Sequence, residues 1–120
     1  MKIQERYQKA VDEFVRRAVE KCKGRIDEII LFGSVARGDA GEDSDIDILV
    51  VVKERNIEDM KEIYGIAFEV SMEHSLGISP KVYGASEVLN RIEMGAPFIT
   101  EVLKEGVPLY GEVRTSKITA

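Results

Sequence analysis

The sequence predicts a single α/β (α+β) domain with a short mixed central sheet flanked by helices. Three observations predict it. A long amphipathic helix opens the chain, two isoleucine- and valine-rich runs are too brief for helices, and a second half alternates helical with extended segments. At 120 residues the chain falls within the range of one compact domain, so residues 1–120 read as one unit.

Taken in order, Ile3, Tyr7, Ala10, Val11, Phe14, Val15, Ala18, Val19 and Cys22 recur at three- and four-residue steps, which predicts a helix stopped near Gly24. Ile26 to Phe32 is the first predicted strand. Gly33 to Ser44 reads as a turn, a helical stretch over Ser34 to Arg37, and an acidic loop. Asp45 to Val52 is the second strand, and its far end is apolar on both sides, which requires cover on both faces. Asn56 caps a helix from Ile57 to about Leu76, with Glu58 and Asp59 in its first turn. Gly65 weakens that helix by about 1 kcal/mol relative to alanine. Ser79 to Gly84 is a third strand entered through Pro80, and Ser86 to Ile92 a helix broken at Gly95-Ala96-Pro97. Pro97 suits the first turn of a last helix that runs through Lys104 and stops at Gly106. Val107 to Gly111 is extended, and the last nine residues are expected to fray. The Met and Phe residues sit at helical spacing and read as core.

Composition narrows the chemistry. With 44% hydrophobic and 32% charged residues, the chain can build a modest core. A net charge of -5 without a Lys/Arg-rich stripe argues against a broad DNA or RNA groove, because such binding draws on clustered cations that displace counterions. A small polyanion such as a nucleotide stays compatible, since a metal ion and local amides can neutralise it. The single cysteine, Cys22, cannot form an intrachain disulfide and sits on the apolar stripe of the first helix, as a small buried hydrophobe would. No run reaches the ~20 apolar residues of a membrane span and the N-terminus has no apolar signal-like core, so the expected location is cytoplasmic.

One constellation carries chemistry. Asp45 and Asp47 are two apart on a predicted strand, so their side chains share a face, roughly 6.5–7 Å apart at the backbone. Two carboxylates placed so can converge on one hard cation such as Mg2+, which shares its shell with water and substrate phosphates. Upstream, with ten residues between, Gly33-Ser34 ends the first strand. The glycine permits close backbone approach, and free amides with the Ser34 hydroxyl form a phosphate-accepting surface. If the two strands are neighbours, phosphate and metal sites adjoin, as phosphoryl or nucleotidyl transfer requires. Either half alone is a common feature of solvated strand ends; the combination at this spacing is what points to function.

Leu31-Phe32-Gly33-Ser34-Val35-Ala36-Arg37-Gly38-Asp39, followed by Asp43-Ser44-Asp45-Ile46-Asp47-Ile48-Leu49-Val50, resembles the signature of the DNA polymerase β nucleotidyltransferase superfamily. More narrowly it is similar to the minimal nucleotidyltransferase (MNT) branch, and the Glu105-Gly106-Val107-Pro108-Leu109-Tyr110 ending extends the likeness. The resemblance implies the nucleotidyltransferase fold, with Gly33 and Ser34 on the β- and γ-phosphates of ATP or another nucleoside triphosphate and Asp45 and Asp47 on Mg2+. It implies that Arg37 helps with phosphate charge, although an exposed arginine on a polar loop is an equal reading. It further implies a helical partner of the HEPN type, in a toxin–antitoxin pair in which AMP passes from ATP to a tyrosine of the toxin. A homo-oligomer is compatible with all of this.

One departure stands out. Active relatives carry a third carboxylate on the next strand, facing the first two. Here that strand reads Ser79-Pro80-Lys81-Val82-Tyr83-Gly84 and contains no acid. Glu73 and Glu87 flank it but are expected on helices facing water, and Asp43 is a stand-in from the loop. The third ligand therefore comes from elsewhere, or water and substrate fill its place, or the domain binds without turning over. A tyrosine acceptor, with a pKa near 10, needs less help from a base than an alcohol does. Lys81 stands where the acid is expected and reads either as a phosphate contact or as a strand-edge lysine. His74, the one histidine, reads as solvated or partly packed. The alternatives to protein modification are a module that neutralises a helical toxin by contact, and transfer to a small molecule as in aminoglycoside nucleotidyltransferases.

Overall fold

The computed structural model describes residues 3–41 and 43–111. Its elements are α1 (Glu5–Lys21), β1 (Ile26–Phe32), α2 (Gly33–Arg37), β2 (Ile46–Val52), α3 (Ile57–His74), β3 (Ile78–Gly84), α4 (Ala85–Glu93), α5 (Pro97–Glu105) and β4 (Val107–Gly111). Helix and strand ends fall within two residues of the sequence reading, as fraying ends do. The nine C-terminal residues expected to fray lie outside the described residues.

The sheet is four-stranded and mixed, in the order β3-β2-β1-β4. β1 runs antiparallel to both β2 and β4, and β2 runs parallel to β3. The extended segment Val107–Gly111 is therefore a true edge strand: Ile29 faces Tyr110 and Leu31 faces Val107, and this contact closes the free side of β1. Between β2 and β3 the crossover helix is α3, the connection a parallel pair needs.

β2 explains why the sheet needs cover on both sides. Ile46, Ile48, Val50 and Val52 join the core under α1 and α3, whereas Leu49 and Val51 join the core under α4 and α5. All six are fully buried, each such aliphatic side chain contributing ~1.5–3 kcal/mol. The first core also holds Tyr7, Ala10, Val11, Phe14, Ala18 and Cys22 of α1 and Ile63, Ile66, Ala67 and Val70 of α3. The second is smaller, with Ile30, Val88, Ile99, Val102 and Leu103.

α3 starts as the sequence requires. Asn56 Oδ1 accepts from the Asp59 amide at 2.8 Å, and Asn56 Nδ2 donates to Asp59 Oδ2 at 2.8 Å. Arg25 Nε, just before β1, donates to Asp59 Oδ1 at 2.9 Å. Burial pushes the Asp59 carboxyl up, but the hydrogen bonds from Asn56 and Arg25 outweigh it and hold the group below the usual carboxylate range. The helix ends at Ser75 in the left-handed region, φ 53°.

The expectation that the Met and Phe residues are core holds for Phe14 but fails for several others. Phe68 is 67% exposed, Met72 68% and Met94 73%, and Phe98 is also exposed. On α3 the reason is geometric. Tyr64, Phe68 and Met72 recur every fourth residue, but on the side of the helix opposite Ile63, Ile66 and Val70, which face the sheet. Helical spacing fixes a shared face without saying which face is inward. No helix among the described residues is long and apolar enough to cross a membrane.

Candidate active site

Because β1 and β2 pair antiparallel, the end of one lies beside the start of the other, and Phe32 faces Asp47 across the ladder. Gly33, the next residue, thus arrives at Asp47, while α2 and the following loop carry the chain round to Asp45. The two halves of the sequence motif meet. Asp45 sits one residue before the ladder rather than within it, and the Ile46 amide donates to the Gly77 carbonyl at 2.8 Å.

Two glycines make room for the two carboxylates. Gly33 has φ +78°, and a Cβ there would overlap Asp47 Oδ2 and lie 3.2 Å from Asp47 Cγ. A Cβ on Gly77 would overlap Asp45 Oδ1 and lie 3.3 Å from Asp45 Cγ. Each carboxylate is therefore seated against bare backbone, one from the end of β1 and one from the approach to β3. Asp45 is exposed and Asp47 half-buried. Burial pushes the Asp47 carboxyl above its ordinary value and the Asp45 charge adds to this, while Lys81 and Arg37 pull the other way. The pair is thus crowded with negative charge that a cation would relieve. Two hard oxygen donors with one residue between them at the start of β2, one exposed and one half-buried, fit one Mg2+ that would complete its shell with phosphate and water.

The neighbours follow from sheet parity. Asp47, Leu49 and Val51 face the α4/α5 side, and the parallel register sets Ser79, Lys81 and Tyr83 of β3 directly opposite them. Ser34 is half-buried in the first turn of α2, which no side chain caps, and Arg37 is exposed with its Nε 3.4 Å from Asp39 Oδ2. Phe98 of α5 packs edge-on to Phe32 (5.5 Å between ring centroids) and stacks beside Tyr83 (6.2 Å). Next to Gly33 and Arg37 a cavity of about 330 Å³ opens, walled by Phe32, Phe98, Glu101 and Glu105.

Other candidates stay away. Glu73 binds Arg17 at 2.7 Å, bridging α3 to α1. Glu87 does not face water as expected; it is half-buried, and its Oε1 accepts from the Gly84 amide at 2.9 Å while Arg55 lies 3.1 Å from Oε2. Asp43 is exposed in a turn. His74 lies in the last turn of α3, and Cys22 is buried, which pushes its thiol up. Among the described residues no three His, Cys, Asp or Glu side chains gather where they could hold a metal ion together. Sequence reading missed Gly77, which looks only like a helix stop, and Phe98, which looks like core. The signal for Gly77 was its place one residue before β3, the strand that runs beside β2.

Comparison with known proteins agrees with this geometry. A protein of Methanocaldococcus jannaschii that carries the provisional name protein adenylyltransferase is 39% identical over 103 residues, covering 86% of this chain and 97% of that one. Among solved structures, the spectinomycin adenyltransferase of Enterococcus faecialis, determined with ATP and spectinomycin, superposes with a TM-score of 0.64 at 15% identity, over 92% of this chain and 58% of that one. A chain from the Shewanella oneidensis complex of tri-AMPylated HEPN toxin with MNT antitoxin gives 0.55 at 14% identity, over 92% and 77%. These two likenesses establish the fold. Residues 11–110 match the model of the Nucleotidyltransferase domain, and the chain belongs to that family.

Proposed function

We propose that the protein is a Mg2+-dependent nucleotidyltransferase that moves AMP from ATP to a tyrosine hydroxyl of a helical HEPN-type partner, as the antitoxin of a toxin–antitoxin pair. The observation that carries this reading is the seating of Asp45 and Asp47 against Gly77 and Gly33, directly beside Ser34. The relative named for protein adenylylation supports a protein acceptor, and the toxin–antitoxin complex supports its class. A cytoplasmic location goes with the proposal, as does one domain over residues 1–120.

In this reading the backbone at Gly33 and the Ser34 hydroxyl hold the β- and γ-phosphates, and Arg37 screens them. Asp45 and Asp47 would hold the cation, which would supply positive charge to the transferred phosphoryl group when bound. Phe32 and Phe98 shield one side of the site from water. The acceptor oxygen attacks the α-phosphorus as the bond to the bridging α–β oxygen breaks. Pyrophosphate leaves with that electron pair, and the phenolic proton passes to solvent or to a site carboxylate. A phenol needs no strong base for this step, which accords with two carboxylates rather than three.

The test is to incubate the protein with ATP, Mg2+ and the product of the adjacent reading frame, then to weigh that product by mass spectrometry. A gain of one or more AMP units, abolished by Asp45→Asn with Asp47→Asn, is expected. An unchanged mass, or a gain that survives the double substitution, overturns the proposal. A second reading has its own observation: the exposed Tyr64, Phe68 and Met72 offer an apolar face for neutralising a helical toxin by contact. It predicts that the double Asn variant protects as well as the parent; binding retained with protection lost removes it.

A further inference from the structure

The α4/α5 face brings three charged side chains near one another: Asp45 just before β2, Asp47 at its start, and Lys81 on the neighbouring β3. Asp47 faces Ser79 and Leu49 faces Lys81 in a parallel register, so Lys81 stands one strand across and one side-chain step along from Asp47. Strand spacing and rise put the two Cα atoms about 8 Å apart, within reach of a lysine stem turned toward a carboxylate. Lys81 is the single charged residue of β3. On α2, Arg37 adds a second positive charge but is partnered by Asp39.

Charge counting shows what this arrangement accepts. Two carboxylates and one ammonium sum to one negative charge. A single divalent ion brings the local sum to one positive, suited to a triphosphate. On the acceptor side, away from the β- and γ-phosphates, a second divalent ion would need a further protein carboxylate, and among the described residues none joins the pair. Resting on the transferase reading above, we infer that Lys81 stands in for a second metal ion, so that the site works with one divalent cation per bound nucleotide and the Lys81 ammonium supplies the remaining positive charge on the acceptor side. Across the strands the Lys81 charge acts to lower the Asp47 carboxyl, against burial and the Asp45 charge, which raise it.

The test counts ions rather than turnover. Mn2+ is titrated into the protein with an ATP analogue carrying a carbon bridge between the α- and β-phosphorus, and ions per bound nucleotide are counted by electron paramagnetic resonance. The wild type is expected to bind one ion, Lys81→Met one, and Lys81→Asp, which supplies a third carboxylate, two. Lys81 is exposed, so Lys81→Met should leave the thermal midpoint nearly unchanged, and Lys81→Asp, which adds to the crowded negative charge, should do so once its ions are bound. In the transfer assay Lys81→Met is expected to fall roughly 10- to 100-fold through loss of one charge. Two ions in the wild type, or a count that stays at one in Lys81→Asp, overturn the inference and leave the transferase reading standing. No ion retained by the wild type above the Asp45→Asn, Asp47→Asn baseline overturns both. A lysine that merely guards a sheet edge would alter solubility and leave every count at one.

Discussion

On one side of the sheet, α1 and α3 lay down a continuous core from Tyr7 to Val82, closed at its rim by the Arg25–Asp59–Asn56 cluster. On the other, α4 and α5 cover a smaller core around Leu49, Val51 and Ile99, with Asp45 and Asp47 at the approach and start of β2 and the exposed Lys81 midway along the edge strand β3. The contrast is clearest in two aspartates. Asp59 is buried and fully satisfied, with its carboxyl held down; Asp47 is half-buried beside another acid, with its carboxyl pushed up. The first face stores stability. The second accepts electrostatic cost where a ligand can offset it, and this separation means that the two properties can be broken independently.

The largest expected effect is on the open face. Asp45→Asn with Asp47→Asn should lower nucleotidyl transfer by about 1,000-fold, as loss of several kcal/mol of charge stabilisation implies, with the thermal midpoint unchanged or raised. Kinetics beside a melting curve decide this, and a drop in midpoint would contradict the separation. On the closed face, Phe14→Ala should cost about 3–5 kcal/mol in denaturant unfolding while activity per folded molecule stays intact. Gly33→Ala bridges the two faces. The left-handed backbone and the collision with Asp47 should cost ~1–3 kcal/mol and also displace the carboxylate, so stability and transfer fall together.

Smaller effects sharpen the same contrast. The folded-state pKa of Asp59 is below its unfolded value, so its contribution is present above about pH 4 and is lost as pH falls through the folded value. Melting curves from pH 6 to pH 2 should therefore fall more steeply for the wild type than for Asp59→Asn; parallel curves would remove Asp59 from the account. Smallest is Gly65→Ala. Nothing lies within 4 Å of the added methyl, so a gain of ~0.5–1 kcal/mol is expected from the unfolded chain's reduced freedom.

Much of this was legible in the sequence because its signals are local. Asn56 caps α3, Pro97 opens α5, and the run of buried residues in β2 required helices on both sides. The half-site was legible because Gly33-Ser34 and Asp45/Asp47 sit on one hairpin, where spacing along the chain translates into proximity. What escaped depends on distant partners. Val107–Gly111 contains a proline and reads as an extended tail until β1 offers its free side, and nothing local predicts a pairing between residues so far apart. The role of Gly77 emerges only when the parallel register brings it to Asp45. The outward Tyr64, Phe68 and Met72 keep the period of a core stripe, and the tertiary fold alone decides which stripe turns inward.

The antiparallel ladder between β1 and β2 has a further consequence for how the molecule breathes. It joins Phe32 to Asp47 and runs on through Leu31, Ile30 and Ile29 to the most deeply buried part of the chain. Amide hydrogens along it should exchange only when the whole domain opens, whereas those of α4 and α5, held over the smaller core, should exchange through partial openings. The carboxylate pair would then keep its arrangement while α4 and α5 open and reclose over the smaller core.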